Sequence, residues 1–226
     1  MFGLLKILQI NPEVGVILIL TLVFSLCFHE FAHAYIAYRL GDNTAAHQGR
    51  LTLNPLAHLD PMGSIMLLVA GFGYAKPVPV NPMNLHNPRT DMMKVAFAGP
   101  ASNFILAFIG ILLMFYFSSD LSVYLGGYNL GYSKNFSQLG LGLWLFTTIN
   151  ITLGIFNLIP LYPLDGGQIF GGFLDKINPR LSYSLRINGP KILLGIILIS
   201  VFTPFSILGI IIEPFHDLVA VIIGVY

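Results

Sequence analysis

His29-Glu30-Phe31-Ala32-His33 interrupts an otherwise apolar run. On a helix, residues four apart stack on one face, so His29 and His33 can offer two imidazoles to one metal ion. Glu30 then stands beside them to carry protons. This H-E-x-x-H arrangement is the zinc-hydrolase signature. Its setting is unusual, because between Val14 and Phe28 only Thr21 and Ser25 are even weakly polar. The motif therefore falls in or near a bilayer, where ionisable side chains are costly unless bound and used.

A catalytic zinc takes three protein ligands and keeps a fourth position for water. The third ligand could be an Asp, Glu or His from elsewhere, and ten acidic residues are available. Glu30 is needed as the base. Most others, such as Asp42, Asp91, Asp120 and Asp175, lie in polar loops. Asp165 differs: it directly ends an apolar span and is followed by Gly166 and Gly167, which permit close backbone approach and free the turn. Alone, Asp165 reads as a solvated acid at a helix end. Beside a histidine pair, it reads as the third ligand.

The elements that position these groups are membrane elements. Hydrophobic residues make up 55% of the 226, charged residues only 9%, and mean hydropathy is +0.78. Soluble domains carry about 25% charged residues, so this is an integral membrane protein, read as a single domain over 1–226. A net charge of +1 gives no reason to expect a nucleic-acid partner. Cys27 is the only cysteine, which excludes an intrachain disulfide and reads as a small buried apolar side chain. Cleavage after the first apolar run would fall inside the histidine motif, so the N-terminal segment reads as retained.

Expected spans run from 14 to 38, 92 to 117, 139 to 159 and 192 to 212. Between the first two, Gly49 to Pro55 reads as a short strand and Lys76 to Pro82 as a proline-interrupted edge strand. Met62 to Tyr74 is apolar but short of the ~20 residues a span needs. If it dips in and returns, the motif side carries nine of the eleven Lys and Arg, leaving only Lys6 and Lys134 opposite. If it crosses, Asp165 is separated from the histidines. The charge bias favours the re-entrant topology, with the motif side cytoplasmic. Ser118 to Gln138 reads as a polar loop, Lys176 to Lys191 as a basic loop, and the stretch after Ile212 as an interfacial helix or part of a hairpin. The fold class is thus an all-α polytopic membrane protein of about four to six transmembrane helices, with a re-entrant segment and a small membrane-associated β element.

His29 to His33 in one apolar helix, with Asn157-Leu158-Ile159-Pro160-Leu161-Tyr162-Pro163-Leu164-Asp165-Gly166 after another, resembles the site-2 protease family of intramembrane zinc metalloproteases (peptidase family M50). Gly49 to Pro55, Lys76 to Pro82 and Gly99-Pro100-Ala101-Ser102-Asn103 also resemble its small, core-only members, over roughly residues 14 to 191. The resemblance implies one Zn2+ held by His29, His33 and Asp165, with Glu30 as general base. Asn157 would steady the substrate or the oxyanion. The substrates would be transmembrane segments of other membrane proteins, cut in or near the lipid bilayer at a multi-pass cell membrane. No insert is large enough for the PDZ domain of some relatives.

Other polar residues carry weaker signals. His58 and Asp60 could orient a ligand histidine, or could form a loop cap or interfacial pair. Asn103 could hydrogen-bond across helices near the site or serve as glue between them. His47 and His86 read as solvated, Glu213, His216 and Asp217 as a surface turn, and Trp144 as an interfacial anchor. Two rival functions share the motif: a silent homologue that binds helices without cutting them, and a metal permease. A permease should show paired half-repeats, and the sequence has none.

Overall fold

The computed structural model describes residues 3–71, 73–117, 138–203 and 206–223. A short helix α1 (Leu4–Ile10) leads into α2 (Pro12–Arg39). The start of α2 is well signalled: the Asn11 side chain accepts from the Val14 N–H, Pro12 occupies the first turn, and Glu13 faces the positive end of the helix dipole. Two single-turn helices follow, α3 (Thr44–His47) and α4 (Pro55–His58), then α5 (Pro61–Ala70). The long α6 (Pro88–Tyr116) and α7 (Gln138–Leu158) come next. The chain ends with α8 (Asp165–Ile177), α9 (Pro179–Phe202) and α10 (Ile207–Ile222).

Among the described residues three helices, α2, α6 and α7, are long and apolar enough to cross a membrane. They are assembled inside out relative to a soluble bundle. On α6, Gly99, Ser102, Asn103, Ala107 and Gly110 are buried, whereas Phe97, Ile105, Phe108 and Leu112 are exposed. Small residues let backbones approach closely and large apolar ones face outward, which suits lipid and not water. A Cβ on Gly110 would strike Thr147, and one on Gly154 would meet the Phe104 ring. These two contacts, with Asn103 against Asn150, set α6 antiparallel to α7. Ala107 and Met114 of α6, Trp144 and Ile151 of α7, and Val219 and Ala220 of α10 form the apolar core.

Several expectations need correction. Trp144 is 4% exposed and belongs to this core, not to a membrane interface. Asp91 is buried in the first turn of α6, and Asp175 lies in α8, paired with Arg186. Most of the basic segment 176–191 is helical, and α9 runs through it to Phe202. Glu213, His216 and Asp217 lie within α10, where His216 Nε2 meets Thr152 Oγ1 at 2.9 Å, and not in a surface turn. Pro100 sits inside α6. The expected loop at 118–138, with Lys134 and Asp120, lies outside the described residues apart from Gln138.

Residues 49–55 do not form a strand. Their polar groups close local turns instead: Thr52 Oγ1 accepts from the Asn54 N–H, and Asn54 Oδ1 accepts from Leu56 at the start of α4. Among the described residues the only β pairing is an isolated antiparallel bridge, Leu59 to Ala75. That bridge joins the stretches of chain on either side of α5, near its N-terminal end. The chain leaves Leu59, forms ten residues of helix and turns at Gly71 (φ 84°), and Gly73 and Tyr74 pack back against Gly63. At its far end α5 abuts Gly3 and α1.

Candidate metal centre

The site forms where α2 ends, α6 begins and α7 runs into α8. His29 and His33, 4% and 8% exposed, face α6 from adjacent turns of α2. Their partners on α6, Val95 and Asn103, lie two turns apart. The Nδ1–H of His33 donates to the Val95 carbonyl at 2.7 Å, and His29 Nδ1 meets Asn103 Oδ1 at 2.6 Å. Halfway between lies Gly99, where a Cβ would overlap both imidazoles. Val95, Gly99 and Asn103, each four apart, thus form a rack for two rings that are also four apart.

The tautomers follow from these partners. A carbonyl only accepts, so His33 must carry its proton on Nδ1. For His29 the logic runs through three helices. Asn150 Nδ2 donates to the Phe146 carbonyl at 2.8 Å and to Ser25 Oγ at 2.9 Å, which turns Asn150 Oδ1 toward Asn103. Asn103 Nδ2 donates to that oxygen at 2.9 Å, so its own Oδ1 faces His29 and takes the Nδ1 proton. In the neutral rings both Nε2 atoms then carry lone pairs, 3.0 Å apart.

Asp165 closes the group. Its Oδ2 lies 3.1 Å from His29 Nε2, its Oδ1 lies 3.3 Å from His33 Nε2, and Oδ2 is buried with no hydrogen-bond donor. Gly166 and Gly167 allow this placement, because a Cβ on either would collide with the backbone of the 158–162 turn. Three lone-pair donors in near contact repel unless a cation lies among them. The two imidazoles and one carboxylate fit a divalent metal of the zinc type, with one position left over.

Glu30 stands beside this centre with Oε2 accepting from the Val78 N–H at 3.0 Å. A cavity of roughly 580 Å³ opens on the four residues and is also lined by Tyr74, Val78, Val80, Asn157 and Gln168. Asn157 reaches it from the last turn of α7, where its Nδ2 donates to Leu153 O. Asn103 is in direct contact with a candidate ligand. His58 and Asp60 are not: His58 donates from Nε2 to Thr52 O, and Asp60 caps α5 through Gly63. The Nδ1 atoms they would have oriented are already taken by Asn103 and Val95. Sequence reasoning missed Asn150, whose signal was an amide in the middle of an apolar span, and Val95, whose backbone role leaves no trace in residue type.

The sequence profile of peptidase family M50 matches residues 17–140 and 133–202. The chain is 48% identical over 152 residues to "Putative zinc metalloprotease YwhC" of Bacillus subtilis, covering 67% of this chain and 66% of that protein. It is 30% identical over 167 residues to "Putative zinc metalloprotease Rip2" of Mycolicibacterium smegmatis, covering 71% and 57%. The chain thus spans about half to two thirds of the length of these relatives. No solved structure matches it.

Proposed function

The chain belongs to peptidase family M50, and from that premise we propose that it is a zinc endopeptidase cutting membrane proteins within or near their transmembrane segments. One observation carries the reading: the Nε2 atoms of His29 and His33 and the carboxylate of Asp165 converge beside Glu30, at the end of a bundle with an apolar exterior. The relatives' names supply zinc as the metal.

His29, His33 and Asp165 would hold the ion, which supplies Lewis acidity that makes water nucleophilic near neutral pH and polarises a carbonyl. Glu30 takes a proton from the attacking water and returns it to the leaving nitrogen. The Val78 N–H fixes one carboxylate oxygen, and Oε1 has no hydrogen-bond partner among the described residues, so it is free for that transfer. Asn157, on the cavity wall, has an amide hydrogen to offer a substrate carbonyl or developing oxyanion.

A helical peptide hides its carbonyls, so the substrate must be held extended. Residues 76–81 lie outside any helix, and the Val80 N–H has no partner among the described residues, which leaves an edge for strand addition. The reading places the helix–return unit at 59–75 as a re-entrant segment, α9 and α10 as further membrane elements, and the site toward the cytoplasm of a multi-pass cell-membrane protein.

The test measures metal content and cleavage of a transmembrane-segment substrate in wild type, Glu30→Gln and Asp165→Ala. About one zinc per chain is expected, with cleavage lost and zinc kept in Glu30→Gln, and both weakened in Asp165→Ala. Zinc without cleavage in wild type across several such substrates would instead favour a helix-binding protein.

A further inference from the structure

Two buried charges near the site have no ionic partner. Asp42 is 0% exposed and Arg50 is 6% exposed, and neither forms an ion pair among the described residues. Burying an unpaired charge is costly unless hydrogen bonds compensate it. Both side chains direct those bonds to one strip of backbone. Arg50 Nη2 donates to the carbonyls of Lys76 at 2.5 Å and Pro77 at 3.3 Å, while its buried Nε has no partner. Asp42 Oδ2 accepts from the Asn81 N–H at 2.7 Å, and its Oδ1 accepts from Thr44 and Asn84. A cation thus grips the carbonyls at one end of the strip and an anion grips an N–H at the other. Midway lies Val78, whose N–H is on Glu30.

We propose that Arg50 and Asp42 are positioning residues for the base: together they clamp residues 76–81 so that the Val78 N–H is held on Glu30 Oε2. This rests on the reading of Glu30 as the base. Pro77 and Pro79 serve the same end, since they stiffen the strip and remove competing donors around Val78. Arg50 and Asp42 are not themselves cavity-lining residues, and their hydrogen bonds go to the strip and its flanks and not to the metal ligands, so their effect on Glu30 should pass through the strip.

The experiment is a double-mutant cycle on the full chain in detergent or vesicles, using Arg50→Met and Val78→Pro. Val78 precedes a proline and already favours extended backbone, so proline removes its N–H while keeping that conformation. Each single variant should keep its zinc and lose about tenfold in kcat. The double variant should lose no more than either single one, because Arg50 then has nothing left to position. Arg50→Lys, which keeps one donor, should restore part of the loss. Should Arg50→Met not accumulate, Asp42→Asn enters the same cycle from the other end.

Hydrogen exchange provides a readout independent of cleavage. The strip has only four amides, at Lys76, Val78, Val80 and Asn81, so loss of the clamp should appear as faster exchange at Val78. Losses that multiply in the double variant, or Val78 protection unchanged without Arg50, would overturn the clamp. A zinc-loaded wild type that cleaves nothing would instead defeat the protease reading, and the exchange comparison would still decide whether Arg50 holds the strip.

Discussion

Gly99→Ala is the smallest change expected to empty the metal site. A Cβ built on Gly99 lies 2.5 Å from His29 Nε2 and from His33 Cε1, and also overlaps His33 Nε2. Real Cβ atoms keep at least 3.0 Å from such neighbours, so the rings must retreat by at least half an ångström. They cannot follow the backbone outward, because Val95 and Asn103 anchor them to the same helix that carries the new methyl. Metal–ligand distances tolerate only about 0.2 Å of departure. Loss of a single orienting contact already costs about 10- to 100-fold in metal affinity. Displacing both rings and filling the space between them should cost about a hundredfold or more, or about 2.7 kcal/mol. The fold should survive: overpacking costs roughly 1–3 kcal/mol, partly offset by roughly 0.5–1 kcal/mol from replacing glycine in a helix. The assay is competitive zinc titration with a chelator, with circular dichroism to follow the helices. Gly142→Ala is the control, since its Cβ would meet nothing within 4 Å. Wild-type zinc affinity in Gly99→Ala, with helices intact, would refute the assignment of this cleft as the metal site.

Further predictions concern the relay, the third ligand and the strip. Asn150→Leu removes the group that orients Asn103 and should weaken zinc by about 10- to 100-fold without touching a ligand; unchanged affinity would show that the His29 tautomer is fixed some other way. Asp165→Ala leaves only two protein ligands, so zinc should exchange freely with a chelator, and tight retention would assign the third ligand elsewhere. Burial alone would push the Asp42 carboxyl up, but hydrogen bonds from Thr44, Asn84 and Asn81 outweigh it and hold it below the usual range. A depressed folded value stabilises at pH above the unfolded value of about 3.9 and is lost as pH falls through the lower folded one. Exchange protection of Asn81 should therefore persist down to about pH 4 and fail only below it. A loss beginning near pH 6 would refute the assignment of this protection to Asp42.

The residues that would meet the metal were legible because their types are expensive where they stand. A histidine pair in an apolar helix, and an acid with two glycines at the end of another, need an explanation that composition alone can request. Helix positions were legible from the apolar runs: the spans expected from 14 and from 92 begin in the structure at Pro12 and Pro88. What supports the site was less visible. Val95 acts through its carbonyl and Val78 through its N–H, so neither side chain reports the role. Trp144 misled because a membrane interface and a helix-packing core both accept an indole, and only the packing of α6, α7 and α10 distinguishes them. Gly49 to Pro55 misled because Thr and Asn satisfy their neighbours' backbone locally, and local satisfaction removes the need for a partner strand.

The arrangement of α6 explains why so few groups suffice. Two rings one turn apart on α2 need two acceptors one turn either side of a gap, and an antiparallel helix supplies them from Val95 and Asn103 with the gap at Gly99. An amide is reversible end for end and cannot by itself decide which tautomer it enforces. Here its direction is inherited through Asn150 from the Phe146 carbonyl, a group that only accepts. In an apolar bundle each unsatisfied polar atom is costly, so the relay has one arrangement in which every amide hydrogen and oxygen facing another helix is used. That arrangement turns the His29 Nε2 toward Asp165, as the Val95 carbonyl does for His33. The bias of the site toward a cation is thus set by two backbone carbonyls, that of Val95 on α6 directly and that of Phe146 on α7 acting through Asn150 and Asn103.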